Sequence, residues 1–391
     1  ERARSDRWRL IAVKATSKVK PTHLDDLAIQ MTVLERAGIR VEACVLMHLN
    51  TQYAFQGDRL NLEEMFSLAD MTEEVKRRQA ILLPELEDMW TVLKSPAPPD
   101  IAPDVHCHMP YECPFLAHCT KDKPSRWIFP LPGGSKLQKS LMDEGIETID
   151  EIPDHYELTD IQRRVKNDVE WISPLLRARL ESVRYPVHHL DFETFMPAIP
   201  LFPQTRPYRP IPFQWSNHIE YPDGTVLHHH YLCTDGRDPR EEVALSLLES
   251  LGESGTICVY SEYERYLLLA LGDWLPHLKP ALSKVIRRLW DLLSVIQQQY
   301  YHPDFKGSFS IKTVLPALVP ELAYDDLGIQ NGAVASVMYR RMVTEESDLM
   351  ERARIAQELE AYCERDTRAM VELRRVLKNR AEQAWLVAGN E

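Results

Sequence analysis

The stretch Val187–Phe195 (VHHLDFETF) constrains this chain more than any other. A short apolar run leads into Asp191, and Glu193 follows two residues later. Side chains at i and i+2 of a strand point to one face. Two carboxylates are therefore expected side by side at the end of a buried strand. Charge repulsion makes that pair costly unless a cation sits between them. Oxygen-only ligands of this kind suit Mg²⁺ or Mn²⁺. The plain alternative is a strand that ends in a solvated acidic turn.

The rest of the chain offers partners for that pair. The segment 256–260 (TICVY) reads as a buried strand, and Ser261 to Glu264 open the next helix. Ser261-x-x-Glu264 also fits a capping box, which would use Glu264 on the helix's own amides. Asp291 in LWDLLSV is a reserve acid. A long helix over 348–378 carries Tyr362 and Asp366, which are four residues apart and so lie one above the other. Segments 213–220 and 226–233 alternate as a hairpin across Pro222-Asp223-Gly224.

Asp191, Glu193, Glu264, Tyr362 and Asp366, in that order and context, resemble the DEDD 3′–5′ exonucleases of RNase H-like fold, in the variant with Tyr-x-x-x-Asp. The commonest form of that family has Asp where Glu264 stands. The resemblance implies an α/β domain with a mixed sheet flanked by helices. It also implies two divalent ions, Mg²⁺ or Mn²⁺, about 3.5–4 Å apart. Asp191 would bridge them, Glu193, Glu264 and Asp366 would complete their ligands, and Tyr362 would orient the attacking water.

The N-terminal part has its own pattern. Strands at 8–13 and 41–50 flank a helix at 27–37, an α/β piece. Lys14 at the strand end and Gln30 on the helix resemble RecB-type PD-(D/E)XK nucleases, a restriction-endonuclease-like module. Ala12 stands where that family has its acid, and the preceding Asp has no counterpart. Such a centre is incomplete and is expected to hold no metal. Glu1, rather than Met, opens the sequence, so an upstream part is expected to be missing. A helical pattern covers 60–95, and the proline-rich 96–103 reads as a stiff linker.

Then comes HCHMPYECPFLAHC, with Cys107, Cys113 and Cys119 evenly spaced. Three thiolates converging from a loop would form part of a metal or cluster site, for which four ligands are usual. The iron–sulfur members of the RecB-type group have a similar run plus one distant cysteine, which implies a 4Fe–4S cluster with its fourth ligand upstream. Zinc completed by His106, His108 or His118 is the alternative, and three buried free thiols are the plain reading.

Three regions are thus expected: a partial nuclease module over 1–125, a helical connector over 126–184 with a helix at 161–183, and the exonuclease-like domain over 185–391. The order of these parts resembles a bacterial family of fused proteins without an established role. The expected partner is single-stranded DNA or RNA. Arg206, Tyr208 and Arg209 combine cations with a stacking ring, and Phe192 and Phe195 flank the acids as wedges against a terminal base. The aromatic run at 300–306 is either a second such surface or a hydrophobic loop.

The net charge of −13 argues against a protein coated with phosphate-binding lysines, though not against a nuclease with local basic patches. No run of about 18 apolar residues occurs, so no membrane partner and a cytoplasmic location are expected. A nucleic-acid-binding scaffold with idle centres is the alternative function, and action on small nucleotides a third. The choice between DNA and RNA, and the oligomeric state, are not written in these residues.

Overall fold

Hydrophobic alternation in the C-terminal half builds one mixed sheet, and the long helix after it covers one face. A computed structural model describes residues 1–388 except 5, 134, 346 and 347. The chain divides into two α/β units. The first comprises Glu1–Asp122 and Met196–Arg209, the second Lys123–Phe195 and Pro210–Glu391.

The first unit holds a four-stranded sheet in the order β1-β2-β3-β4, formed by Arg2–Arg4, Arg7–Lys14, Val41–Leu49 and Phe66–Asp70. β2 and β3 are parallel and are joined by the helix Pro21–Arg36. That helix buries Leu27, Ala28 and Met31 against Cys44, Leu46, Val75 and Leu82. The continuous helix expected over 60–95 is not formed. Phe66–Asp70 instead pairs antiparallel with β3, and the helix Thr72–Lys94 starts after it. Backbone pairing to an open sheet edge outweighed the helical spacing of the apolar residues there.

The second unit opens with helical segments rather than one long helix. The span expected to be helical at 161–183 is broken into Asp160–Asn167, the short strand β5 (Trp171–Ile172) and Leu176–Glu181. Asp168 adopts a left-handed conformation at φ 53° and ends the first piece. β5 pairs with β11 (Tyr300–Tyr301). Tyr300, Tyr301 and Phe305 are fully buried, so the 300–306 run is a hydrophobic loop and not a surface for bases.

The main sheet has the order β10-β9-β6-β7-β8. β6 (Val187–Phe195), β7 (Ile211–Glu220) and β8 (Val226–Leu232) form an antiparallel meander. β9 (Thr256–Val259) and β10 (Leu289–Asp291) follow on the other side of β6, parallel to it. Every residue of β7 is buried, because helices cover both its faces. On one face, Trp215 Nε1 donates to Ser246 Oγ (3.1 Å) and Asn217 Nδ2 to Ser250 Oγ (3.0 Å), both on the helix Arg240–Leu251. On the other face lies the long helix Leu349–Ala388.

That second face is polar for a buried surface. Gln214 Nε2 donates to the Leu359 carbonyl (3.0 Å), and Ser216 Oγ bonds Thr367 Oγ1 (2.7 Å). Arg374 Nη1 donates to Glu220 Oε2 (2.5 Å) and lies 3.2 Å from His189 Nε2. Arg374 is 1% exposed and Glu220 6%. Removing one partner of such a pair leaves an uncompensated buried charge. Glu220→Ala is expected to destabilise the fold by about 3–5 kcal/mol in chemical denaturation. The double replacement Glu220→Leu with Arg374→Met is expected to cost much less.

Candidate metal centre

Strand pairing positions the first two acids. Asp191 lies opposite Ser216 and Glu193 opposite Gln214. Directly opposed residues share a face, so both acids sit on the side held by the long helix. On that helix Tyr362 and Asp366 stand one turn apart. Glu264, in the first turn of the helix Tyr263–Trp274, follows β9, which is parallel to β6. Asp191, Glu264, Tyr362 and Asp366 thus line one cavity of about 350 Å³, together with Tyr260, Ser261, Tyr263, Ile311 and Met370. Glu193 sits beside Asp191. Ligand atoms of Asp191, Glu193 and Cys363 fall within 4.8 Å of one another.

Glu193, Glu264 and Asp366 are buried and Asp191 half-buried, and each is harder to ionise than usual. Burial, then the Asp366, Glu193 and Glu264 charges, raise Asp191 well above the carboxylate range. Burial and Asp366 push Glu193 up to about 8, against the pull of Lys312. Glu264 rises to about 7 by burial, with Asp291 and Glu262 adding to it. Asp366 rises to about 6 by burial, held back by hydrogen bonds from Tyr324 and Tyr362 and by Lys312. The Tyr362 phenol is raised by burial and by the acids, so it stays a proton donor. Cys363 is fully buried and its thiol is raised for the same reasons.

Glu264 does not close a capping box. Ser261 Oγ donates to Glu264 Oε2 (3.0 Å) and accepts from Tyr263 N (3.0 Å), and the helix has no side-chain cap at Glu262. Asp291 keeps one buried oxygen, Oδ1, without a hydrogen-bond partner. A family model described as "Domain of unknown function (DUF2779)" matches residues 188–310. Asp191, Glu193 and Glu264 fall inside that span, and Tyr362 and Asp366 beyond it. The chain is also similar to the uncharacterized protein UU173 of Ureaplasma parvum serovar 3, at 24% identity over 233 residues. That match covers 54% of this chain and 33% of the relative, so the chain spans about a third of the relative's length. No solved structure matches the chain.

Two side chains at the cavity carry no motif in the sequence. Tyr324 donates its hydroxyl to Asp366 Oδ1. Lys312 places its ammonium 5.4 Å from the Tyr362 ring centroid and 5.5 Å from that of Tyr324, and donates to the Gln330 carbonyl. Lys312 sits in the first turn of the short helix Ile311–Leu318, and Tyr324 follows the turn Pro320–Leu322.

The expected base-contacting residues are placed differently. Phe192 lies opposite Trp215, on the face turned away from the acids, and is 5% exposed. Strand alternation puts it there. Phe195 is also 5% exposed and packs against Tyr339 (5.2 Å between ring centroids). Both are core residues, not wedges. Arg206, Tyr208 and Arg209 belong to the first unit. Arg206 donates to Gln52 Oε1 (3.3 Å), and Tyr208 packs on Leu49, Tyr53 and Met65.

In the first unit Lys14 and Gln30 do converge, on Asp26. Lys14 pairs with Asp26 Oδ2, and Gln30 Nε2 donates to Oδ1 (3.0 Å). These bonds hold the Asp26 carboxyl below its ordinary value. Ala12, 7% exposed, is a core residue. Cys107 is buried, Cys113 half-buried and Cys119 exposed. Among the described residues, none of the three joins a set of three ligand atoms within 4.8 Å of one another. No helix among the described residues is long and apolar enough to cross a membrane.

The acids of the cavity give the metal-free protein a definite pH response. Each binds its proton more tightly folded than unfolded. Their contribution is therefore complete below about pH 4 and lost as pH rises toward 8. Metal-free protein is expected to lose roughly 5–10 °C of Tm between pH 5 and pH 8. Mn²⁺ should restore more of it at pH 8 than at pH 5, and Glu193→Gln should flatten the profile.

Proposed function

We propose that the second unit is an RNase H-like, two-metal-ion nuclease that removes nucleotides from the 3′ end of single-stranded DNA or RNA. The observation that carries the reading is the convergence of Asp191, Glu193, Glu264 and Asp366, from three separated segments, with Tyr362 at one cavity. The sheet adds support: an antiparallel meander whose first strand carries Asp191-x-Glu193, followed by two parallel strands. A cavity of about 350 Å³ suits a strand end better than a duplex.

The donor set fits divalent cations. It is almost wholly carboxylate oxygen, which matches Mg²⁺ or Mn²⁺. The repulsion that raises these acids is relieved by positive charge, and a carboxylate oxygen of Asp291 near Glu264 is buried without a partner. Asp191, Glu193, Glu264 and Asp366 would hold the ions. When bound, they supply Lewis-acid activation of water and neutralise charge on the phosphate.

The chain's own residues do the rest. Tyr362, kept protonated, hydrogen-bonds and orients the attacking water. Tyr324 fixes the Asp366 carboxylate by its hydroxyl bond. Lys312, at the cavity's lip, offers positive charge to a phosphate oxygen. The first unit we read as an idle nuclease fold: Lys14 and Gln30 are both engaged by Asp26, and Ala12 offers no ligand. Its cysteines we read as part of an iron–sulfur or zinc site completed by a ligand outside them.

Release of nucleotides from end-labelled single-stranded oligonucleotides with Mn²⁺ tests this. Asp191→Asn with Glu193→Gln should abolish release, and Tyr362→Phe should slow it by about 10²–10⁴-fold with little change in Mn²⁺ affinity. EDTA should stop it. Equal release from wild type and the double variant would rule the centre out.

A further inference from the structure

On the far side of the long helix from the carboxylates lies a second set of ligands. His218 on β7 and His228 on β8 are paired across the sheet, and their rings stack at 4.4 Å. Glu364 of the long helix faces them, with its Oε1 3.9 Å from His228 Nδ1. One ligand atom from each of the three lies within 4.8 Å of the others. In a tetrahedral zinc site, metal–ligand distances of about 2.0–2.2 Å put neighbouring donors roughly 3.3 Å apart. Small rotations of His228 and Glu364, both partly exposed, close the difference.

The hydrogen bonds around the rings decide which nitrogens are free. Thr367 Oγ1 lies 3.1 Å from the Glu364 carbonyl, the usual acceptor for a helical threonine. With its proton there, Thr367 accepts from His218 Nδ1 (2.8 Å) and from Ser216 Oγ (2.7 Å). Ser216, having given its proton to Thr367, accepts from His228 Nε2 (2.9 Å). Each ring then carries its proton on the nitrogen bound to a hydroxyl. His218 Nε2 and His228 Nδ1 are left with lone pairs. This matches the way metal-bound histidines are held, with the second nitrogen donating to a fixed acceptor.

We propose that His218, His228 and Glu364 bind one borderline transition-metal ion, of which Zn²⁺ is the fitting case. Two imidazoles and a carboxylate leave a fourth position open. His230 stacks on His228 at 5.3 Å, and its Nε2 lies 3.5 Å from Glu360 Oε1, which extends the same ridge. The site ties the outermost strand of the sheet to the helix that carries Tyr362 and Asp366. It is separate from the carboxylate centre in ligand chemistry. Imidazole selects zinc, nickel or copper, whereas the carboxylates select magnesium or manganese.

The full chain, stripped with EDTA and kept in excess Mg²⁺, is titrated with Zn²⁺ against a chromophoric chelator. Wild type should bind one Zn²⁺ more than His228→Ala, and Glu364→Gln should weaken that equivalent at least tenfold. His229→Ala serves as the control, because His229 Nδ1 bonds Ser250 Oγ (3.1 Å) on the other face and the variant should bind as wild type does. The two test positions are partly exposed, so both variants should fold, and their circular dichroism checks it. The same Zn²⁺ count and affinity in wild type, His228→Ala and Glu364→Gln would overturn the site. So would an equal loss in His229→Ala, which would mark a generic histidine-rich surface.

Discussion

Three contacts along one strand face hold a 40-residue helix in register with the sheet. Gln214, Ser216 and Glu220 of β7 meet Leu359, Thr367 and Arg374. Alternate strand residues share a face, and helix residues seven or eight apart share a stripe. The six-residue strand span covers about 20 Å and the fifteen-residue helix span about 22 Å, so both ladders stay in step. The strands beside β7 then receive what flanks the stripe. Tyr362 and Asp366 lie on one side of it, with β6 and its two acids. Glu360 and Glu364 lie on the other, with β8 and its histidines. One helix placement therefore serves two ligand sets of different chemistry.

The same interface explains how so many acids can be buried together. Each carboxylate that loses water must gain a proton, a donor or a cation. Protons answer for part of this, since burial raises all four acids. Donors answer for another part: Tyr324 and Tyr362 at Asp366, and Ser261 at Glu264. What remains is repulsion among the acids, which positive charge relieves. Lys312 relieves it from the rim and does not fill the cavity.

The first unit shows the opposite balance. Its acid, Asp26, pairs with Lys14 and accepts from Gln30, and its carboxyl is lowered rather than raised. A carboxylate already paired with an ammonium gains less from a metal. The contrast between two α/β units of one chain lies in whether the acids outnumber their donors.

The carboxylate constellation was legible in the sequence because each member carries a local rule. Asp191-x-Glu193 is fixed by strand alternation, and Tyr362-x-x-x-Asp366 by helical repeat. Glu264 follows from a buried strand that turns into a helix. The meander and the long helix were legible for the same reason. Tyr324, Lys312 and the histidine set were not, since nothing local aims them; the histidines meet Glu364 only once β7 and β8 pair under the long helix, and Tyr324 and Lys312 meet the acids only through that helix's Asp366 and Tyr362. The strand at Phe66–Asp70 and the break at Asp168 also came from outside, through an open sheet edge and a left-handed backbone position. Phe192 marks the limit most plainly. Proximity in sequence to a site says little about access to it, because a strand turns alternate side chains into opposite faces and the tertiary fold alone decides which face is open.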